Sequence, residues 1–392
     1  MQGARQVGKS TLAREVATSR AGRYVTLDDD VARAAASVDP VGFVRQAPGQ
    51  LLVIDEVQRV PDLVLALKLV VDETPRPGGF LLTGSADLLR LPAAEDSLAG
   101  RAESLELFGF SQGELIGRRE TFIDRLFGGE TFVGHVGDET RAGYLTRATS
   151  GAYPEALGRP EGRRRNRWLD NYLARIVERD AREVTTMRSV ESLPLVLRVI
   201  ASRNASELNL ADLASDTRIP ATSLARQVEL LETLYLIQRV PAWSANLTKR
   251  AVSRPKMALL DTGLAARLMH ISATGASPTV NPDTAGGLLE GFVLGELRRQ
   301  LGWAEQEVRL FHFRDRAGDE VDVILESIDG RIAGLEVKAS ASVGPRAGRW
   351  LEKLRDRLGT RFTAGLILHT GQSSAPFGDR IAAVPIDVLW RA

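Results

Sequence analysis

Apolar residues are distributed in three ways along this chain of 392 residues. In residues 1–150 they gather into short runs, Arg23 to Asp28, Leu51 to Glu56 and Phe80 to Ser85, with Ser104 to Leu107 as a fourth strand-like stretch. A helical segment from about Val31 to Gln46 separates the first two. Continuous apolar runs of this length predict strands buried on both faces, as in a parallel sheet covered by helices. In residues 151–275 the spacing becomes helical. One helix is predicted from Arg163 to about Val184, a short one over Leu208–Ala214, and another over Ala221–Leu234 with Leu224, Val228, Leu231 and Leu234 on one stripe. Strand-like stretches follow at 236–240 and 256–260. Residues 276–392 predict an amphipathic helix over Gly287–Leu297, then strands 308–314, 320–325 and 332–337, a helix 348–357 and a strand 364–369. The class is α/β, in two or three domains.

Composition narrows this little. A hydrophobic content of 44% and a charged content of 26% are ordinary for a globular chain, and a net charge of +1 argues against a protein that is basic throughout. Arginine outnumbers lysine, a bias expected of a GC-rich genome. The absence of cysteine excludes disulfides and thiolate-held zinc or iron–sulfur sites, and His135, His270, His312 and His369 lack metal-ligand spacing. No apolar stretch approaches about 18 residues and no signal peptide is visible, so a soluble, cytoplasmic protein without a membrane partner is expected.

The densest chemistry opens the chain. Gly3-Ala4-Arg5-Gln6-Val7-Gly8-Lys9-Ser10 fits the phosphate-loop pattern G-x-x-x-x-G-K-[ST], with Thr11 leading into a helix. The glycines let backbone N–H groups curl around a phosphate, Lys9 reaches the β- and γ-phosphates, and the Ser10 hydroxyl can coordinate Mg²⁺. Only Met1 and Gln2 precede Gly3, so the central strand that normally anchors such a loop is missing from the chain as written. The expectation is an upstream start or a truncation, with weak nucleotide binding if the strand is truly absent. Asp55 and Glu56 end the apolar run at 51–56, where a buried strand delivers catalytic groups. Asp55 is expected in the Mg²⁺ shell and Glu56 beside the attacking water. Ser85 is expected to sense the γ-phosphate, and Arg101, in Leu98-Ala99-Gly100-Arg101, to act as an arginine finger within the chain or toward a neighbour.

These residues carry a resemblance. Gly3 to Ser10, Leu51 to Pro61, Leu82 to Ser85, Arg101, Trp168 to Tyr172 and Glu178 to Asp180 resemble the prokaryotic AAA-type P-loop ATPases that bear a C-terminal DUF4143 domain. The resemblance covers essentially the whole chain. It implies an ATPase domain with ATP and Mg²⁺ as cofactors, and it departs at the N-terminus, where such proteins have a further strand and helix.

Beyond residue 150, helix, turn around 216–220, helix and β-ribbon predict a winged-helix module, whose second helix would offer Thr222, Ser223, Arg226 and Gln227 to a DNA groove or serve protein contact. The run Arg163-Arg164-Arg165-Asn166-Arg167 reads as a solvated helix start that can also touch phosphates. The α-β-β-β-α-β order after residue 276 is that of restriction-endonuclease-like domains. Asp322 falls in its second strand, while Glu336 and Lys338 share one face of the third. Such carboxylates can hold Mg²⁺, Lys338 can position water, and Glu290 on the preceding helix can add a ligand. The expected protein is a Mg²⁺-dependent ATPase coupled to a module that binds DNA or another protein. An ATP-gated nuclease and a non-cleaving nucleotide-dependent switch are the alternatives, and Arg101 leaves oligomerisation open.

Overall fold

The computed structural model describes residues 1–84, 98, 100–177, 181, 190–273, 282–315 and 318–392, without the side chains of 249, 251, 252 and 282. It forms two compact units, one of Met1–Gly109 with Thr233–Tyr235, the other of Phe110–Glu232 with Leu236–Ala392. Residues 110–150, grouped with the first domain from sequence, thus pack in the second unit. Among the described residues no helix is long and apolar enough to cross a membrane.

In the first unit the apolar runs become strands β1 (Arg23–Thr26), β2 (Leu52–Asp55) and β3 (Phe80–Leu82), parallel and in the order β1-β2-β3. Strand β2 is buried throughout. Its side chains alternate between two cores: Leu52 and Ile54 pack with Leu27, Ala36, Phe43, Leu63 and Leu67, whereas Leu51 and Val53 pack with Ala13 and Ala17. Helix α1 (Lys9–Ser19) therefore covers one face, and α2 (Asp30–Val38), α3 (Pro40–Val44) and α4 (Leu63–Glu73) cover the other. Two-sided burial is why β2 reads as an unbroken apolar run.

The single helix expected over 31–46 is divided at Asp39–Pro40. Pro40 has no N–H for the ladder and disfavours helical backbone at Asp39. The Asp39 carboxylate instead accepts the Gly42 N–H at 2.8 Å and starts α3. The stretch 104–107, expected as a strand, is present as a bridge at Glu106. Gln2 pairs in parallel with both Gly84 and Glu106, donating to the Leu105 carbonyl and accepting from the Leu107 N–H, each at 2.8 Å. Met1 and Gln2 thus lie between the end of β3 and residues 105–107. A Cβ on Gly3 would stand 2.0 Å from the Leu107 carbonyl oxygen, so this approach requires glycine.

In the second unit, β4 (Ser206–Glu207) comes before helices Leu210–Thr217 and Ala221–Thr233, and β5 (Ile237–Val240) and β6 (Lys256–Leu259) come after them; the three strands form a small antiparallel sheet ordered β4-β6-β5. A six-stranded sheet follows, built from β7 (Val308–Arg314), β8 (Glu320–Ser327), β9 (Ile332–Lys338), β10 (Phe362–His369), β11 (Ala375–Pro376) and β12 (Ile381–Pro385), ordered β11-β12-β10-β9-β8-β7. Leu351, Leu354 and Leu358 of helix Arg349–Leu358 fill a core with Val321, Ile324, Ile332, Phe362, Ile367 and Ile381. Helix Pro282–Gln300 precedes the sheet, so the expected α-β-β-β-α-β order is present, extended by β11 and β12. The helix expected from Arg163 is described over Arg163–Arg175, and Glu178 to Asp180 lie outside the described residues.

Ile54, fully buried between β1 and β3, sets a test of the first core. Ile54→Ala should destabilise the first unit by about 2–5 kcal/mol in denaturant unfolding. A loss below about 1 kcal/mol would contradict the burial assigned to β2.

Candidate functional site

The parallel strands meet the start of α1, just after the loop 3–8, at Asp55. This carboxylate, only 4% exposed, ends β2. Its Oδ1 accepts the Ser10 hydroxyl at 3.0 Å and also the Thr83 hydroxyl, while Oδ2 accepts the Tyr24 phenol at 2.6 Å. The donors come from the start of α1, from β1 and from the residue after β3. Thr83 Oγ1 also accepts the Glu56 N–H at 3.2 Å, which links the next carboxylate to the same node.

The loop itself is bent by backbone conformations that most residues avoid. Gln6 has φ 61° and Gly8 φ 100°. A Cβ on Gly8 would meet nothing within 4 Å, so the dihedral, not space, calls for glycine there. Gly8 is also the N-cap of the 11-residue α1 and brings no side-chain cap, leaving the helix's N-terminal dipole without a protein acceptor at that position. Ala4 and Val7 are buried, Arg5 half-buried and Thr11 exposed.

Lys9 is buried, and its ammonium donates to the carbonyls of Gly3 at 3.0 Å and Ala4 at 2.7 Å. Burial pushes its pKa down to about 8, against the pull of the Glu56 carboxylate. Glu56 has left-handed backbone, φ 58° and ψ 45°, and its half-buried carboxylate accepts the Gln58 side-chain amide. A non-glycine residue in this region is strained by about 1–3 kcal/mol, and such residues gather at functional sites. The donor set fits a nucleotide's phosphates: N–H groups turned by positive φ, an uncapped helix start and a buried amine. A hydroxyl and a carboxylate 3.0 Å apart fit Mg²⁺, which keeps several waters of its own.

Arg101 forms a bidentate pair with Asp72 of α4 at 2.5 and 3.0 Å. Ser85 lies outside the described residues. Thr83 and Tyr24 were not singled out from sequence. Thr83 was recoverable as the first hydroxyl after an apolar strand; Tyr24 carried no signal beyond its place in β1.

A second cluster lies in the other unit. Lys256 on β6 is buried and pairs with Glu290 at 2.6 Å, Glu320 at 2.8 Å and Asp322 at 3.7 Å. The other Asp322 oxygen accepts the Val337 N–H at 2.8 Å. Lys338 pairs with Glu336 at 2.8 Å. The structure brings Glu290, Asp322, Glu336 and Lys338 into one charged neighbourhood, and adds Lys256 and Glu320, which sequence reasoning passed over. Burial, reinforced by the nearby Asp322, pushes Glu290 and Glu336 each up to about 8. The fully buried His312, next to this cluster in charge, is pushed down to about 4 by burial and by Lys256. A divalent ion does not fit as the residues stand. Glu336 Oε1 is buried without a hydrogen-bond partner, but among the described residues no three acidic, histidine or cysteine side chains are arranged to hold a metal.

On the helix Ala221–Thr233, Thr222 and Arg226 are exposed and Ser223 half-buried, but Gln227 is fully buried and donates to Ser192 Oγ at 2.7 Å. Gln227 is therefore a packing residue and not part of an outward surface. Arg163, Arg164 and Arg167 line, with Arg159, an open cleft of about 810 Å³.

Comparison with known proteins divides the chain into three matched regions. Residues 1–116 match the family model described as AAA domain, residues 141–275 a domain of unknown function, DUF8612, and residues 285–389 the domain of unknown function DUF4143. Two proteins described as uncharacterised, one of Mycobacterium tuberculosis and one of Mycobacterium bovis, are each 28% identical over 390 residues, covering 99% of this chain and 80% of theirs. The AAA match points to nucleotide binding by the first unit.

The burial of Lys9 has a pH signature. Its pKa of about 8 lies below the ordinary 10.5, so between those values the unfolded chain holds the extra proton. The penalty is present in full below pH 8 and disappears above about 10.5. Stability should therefore rise with pH across this window, by up to about 3 kcal/mol, and the rise should vanish in Lys9→Met. Identical alkaline profiles for the two proteins in chemical denaturation would refute it.

Proposed function

For a chain that opens with an AAA domain and closes with a DUF4143 domain, we propose a Mg²⁺-dependent ATPase that couples nucleotide turnover to a partner-binding C-terminal unit. The observation that carries this reading is Asp55, which ends the buried strand β2 and holds the Ser10 hydroxyl at 3.0 Å. In P-loop enzymes that pair of groups is where the nucleotide's metal is received. The flanking residues have matching capacities. Residues Gly3 to Ser10, with Thr11 in the first turn of α1, receive the phosphates through backbone N–H groups. The Lys9 ammonium, released from the Gly3 and Ala4 carbonyls, moves onto the β- and γ-oxygens. Anionic phosphates stabilise its charged form, offsetting the burial that lowers its pKa.

Mg²⁺ would supply charge neutralisation to the phosphates, and Ser10 and Asp55 are the residues that would hold it. Glu56 is the group that orients the attacking water and accepts its proton. Its left-handed backbone fixes where the carboxylate departs from the strand end, and the Gln58 amide would have to release it for that role. Thr83 links Asp55 to the Glu56 N–H and so positions both. Ser85 is retained as a γ-phosphate sensor. Arg101 is retained as the finger, which requires exchange of Asp72 for phosphate.

The helix-turn-helix and the β4-β6-β5 sheet are read as a winged-helix module, and the six-stranded sheet as a restriction-endonuclease-like scaffold. We take this unit as a binding module for DNA or another protein, because Lys256 already occupies the carboxylate cluster.

Steady-state ATP hydrolysis with Mg²⁺ tests the reading. Lys9→Ala should lower turnover by at least about 100-fold, and Glu56→Gln should keep ATP binding while losing about 10²–10⁴ in kcat. Stimulation by duplex DNA, reduced in Arg226→Ala, would make DNA the partner; unstimulated turnover would favour a protein. Hydrolysis that survives both Lys9→Ala and Glu56→Gln would overturn the proposal.

A further inference from the structure

We propose that the Lys256 ammonium is the resident cation of the carboxylate cluster formed by Glu290, Glu320, Asp322 and Glu336, and that it keeps divalent metal out of this centre. The inference does not depend on the ATPase reading, because every residue in it belongs to the second unit.

Lys256 Nζ stands 2.6 Å from Glu290 Oε1, 2.8 Å from Glu320 Oε1 and 3.7 Å from Asp322 Oδ1. A Mg²⁺ ion bound to the same oxygens sits about 2.1 Å from each, so ion and ammonium would overlap. The ammonium cannot easily withdraw. Lys256 opens β6, which is paired on both sides, with Glu207 of β4 and with Val240 of β5, and its side chain is only 2% exposed. The remaining oxygens are largely committed. Asp322 Oδ2 accepts the Val337 N–H at 2.8 Å, and Glu336 Oε2 accepts from Lys338 at 2.8 Å. Glu336 Oε1 is left as a buried carboxylate oxygen without a hydrogen bond, and one such oxygen does not replace the roughly six ligands a hard dication takes.

The same contacts give the cluster a different task. They tie β6, a strand of the small antiparallel sheet, to β8 of the large sheet and to helix Pro282–Gln300 through one buried cation. A lysine ammonium serves this purpose without needing a metal supply, and its position is set by strand register.

Mn²⁺ binding to the full chain, followed by electron paramagnetic resonance without nucleotide, separates the possibilities. Wild type and Asp322→Asn should bind the same number of Mn²⁺ ions. Lys256→Met should gain one site, which the added Asp322→Asn change removes, and Lys256→Arg should gain none. A wild-type site that disappears in Asp322→Asn would overturn the proposal. So would a folded Lys256→Met protein, verified by circular dichroism, that gains no site. If Lys256→Met does not fold, the comparison of wild type with Asp322→Asn still decides whether the native centre takes metal.

Discussion

A carboxylate buried at the end of a central strand must be satisfied or it destabilises the fold, and Asp55 is satisfied entirely by hydroxyl groups. Ser10, Tyr24 and Thr83 donate to it from the beginning of α1, from β1 and from the end of β3. An isolated buried charge costs several kcal/mol, so these donors cannot drift without penalty. Their convergence requires the strands to run parallel and to end at one level, which the pairing of Thr26 with Asp55 and of Ile54 with Leu82 provides. The phosphate loop is held from two sides by this arrangement. Gly3 packs against the Leu107 backbone, and Ser10 is fixed by Asp55. Glu56 inherits its position from the same node through Thr83.

The second unit meets the same problem with cations. Arg250 holds Glu326 at 2.6 Å, Arg299 holds the buried Glu296 at 3.1 Å, and Lys256 holds Glu290 and Glu320. Asp261 is held instead by backbone N–H groups. Buried with its carboxyl pushed above the usual range by desolvation, it accepts the Leu264 N–H at 2.9 Å and the Ala152 N–H at 2.7 Å. It thereby caps helix Thr262–Leu268 and fixes Gly151 beside Gly263, where a Cβ on Gly263 would come within 2.7 Å of the Gly151 backbone. Losing one partner of such a pair is more damaging than replacing both by apolar groups, because the remaining charge stays buried.

How much of this was legible depends on whether the determinants are local. Gly3 to Ser10 is eight contiguous residues whose chemistry is set by backbone conformation, so it could be read directly. Asp55 was visible because a polar residue closes an apolar run. Thr83 was legible only as the first hydroxyl after an apolar run, because the hydrogen bond that gives it a role is made to a residue 28 positions away. Pro40 should have divided the helix expected over 31–46. Gln227 should have been read as buried, because it lies three residues after Leu224 and four before Leu231 on the apolar stripe. Lys256 had no local signal at all. A lysine at the start of a short strand is ordinarily solvated, and its partners lie on elements that follow much later in the chain.

The two carboxylate centres also differ in what they leave open. The hydroxyl donors to Asp55 bring no opposing charge, and its Ser10 neighbour can turn a lone pair outward. A site built this way retains both the attraction and the coordination capacity that a dication requires. An ammonium removes both at once, by cancelling charge and by occupying the volume between the oxygens. The Glu290–Asp322–Glu336 set thus carries the residue types of a metal centre without its free space, whereas Ser10 and Asp55 are fewer groups with no cation set between them. Residue type alone would rank these centres in the opposite order, and the position of one buried lysine reverses it.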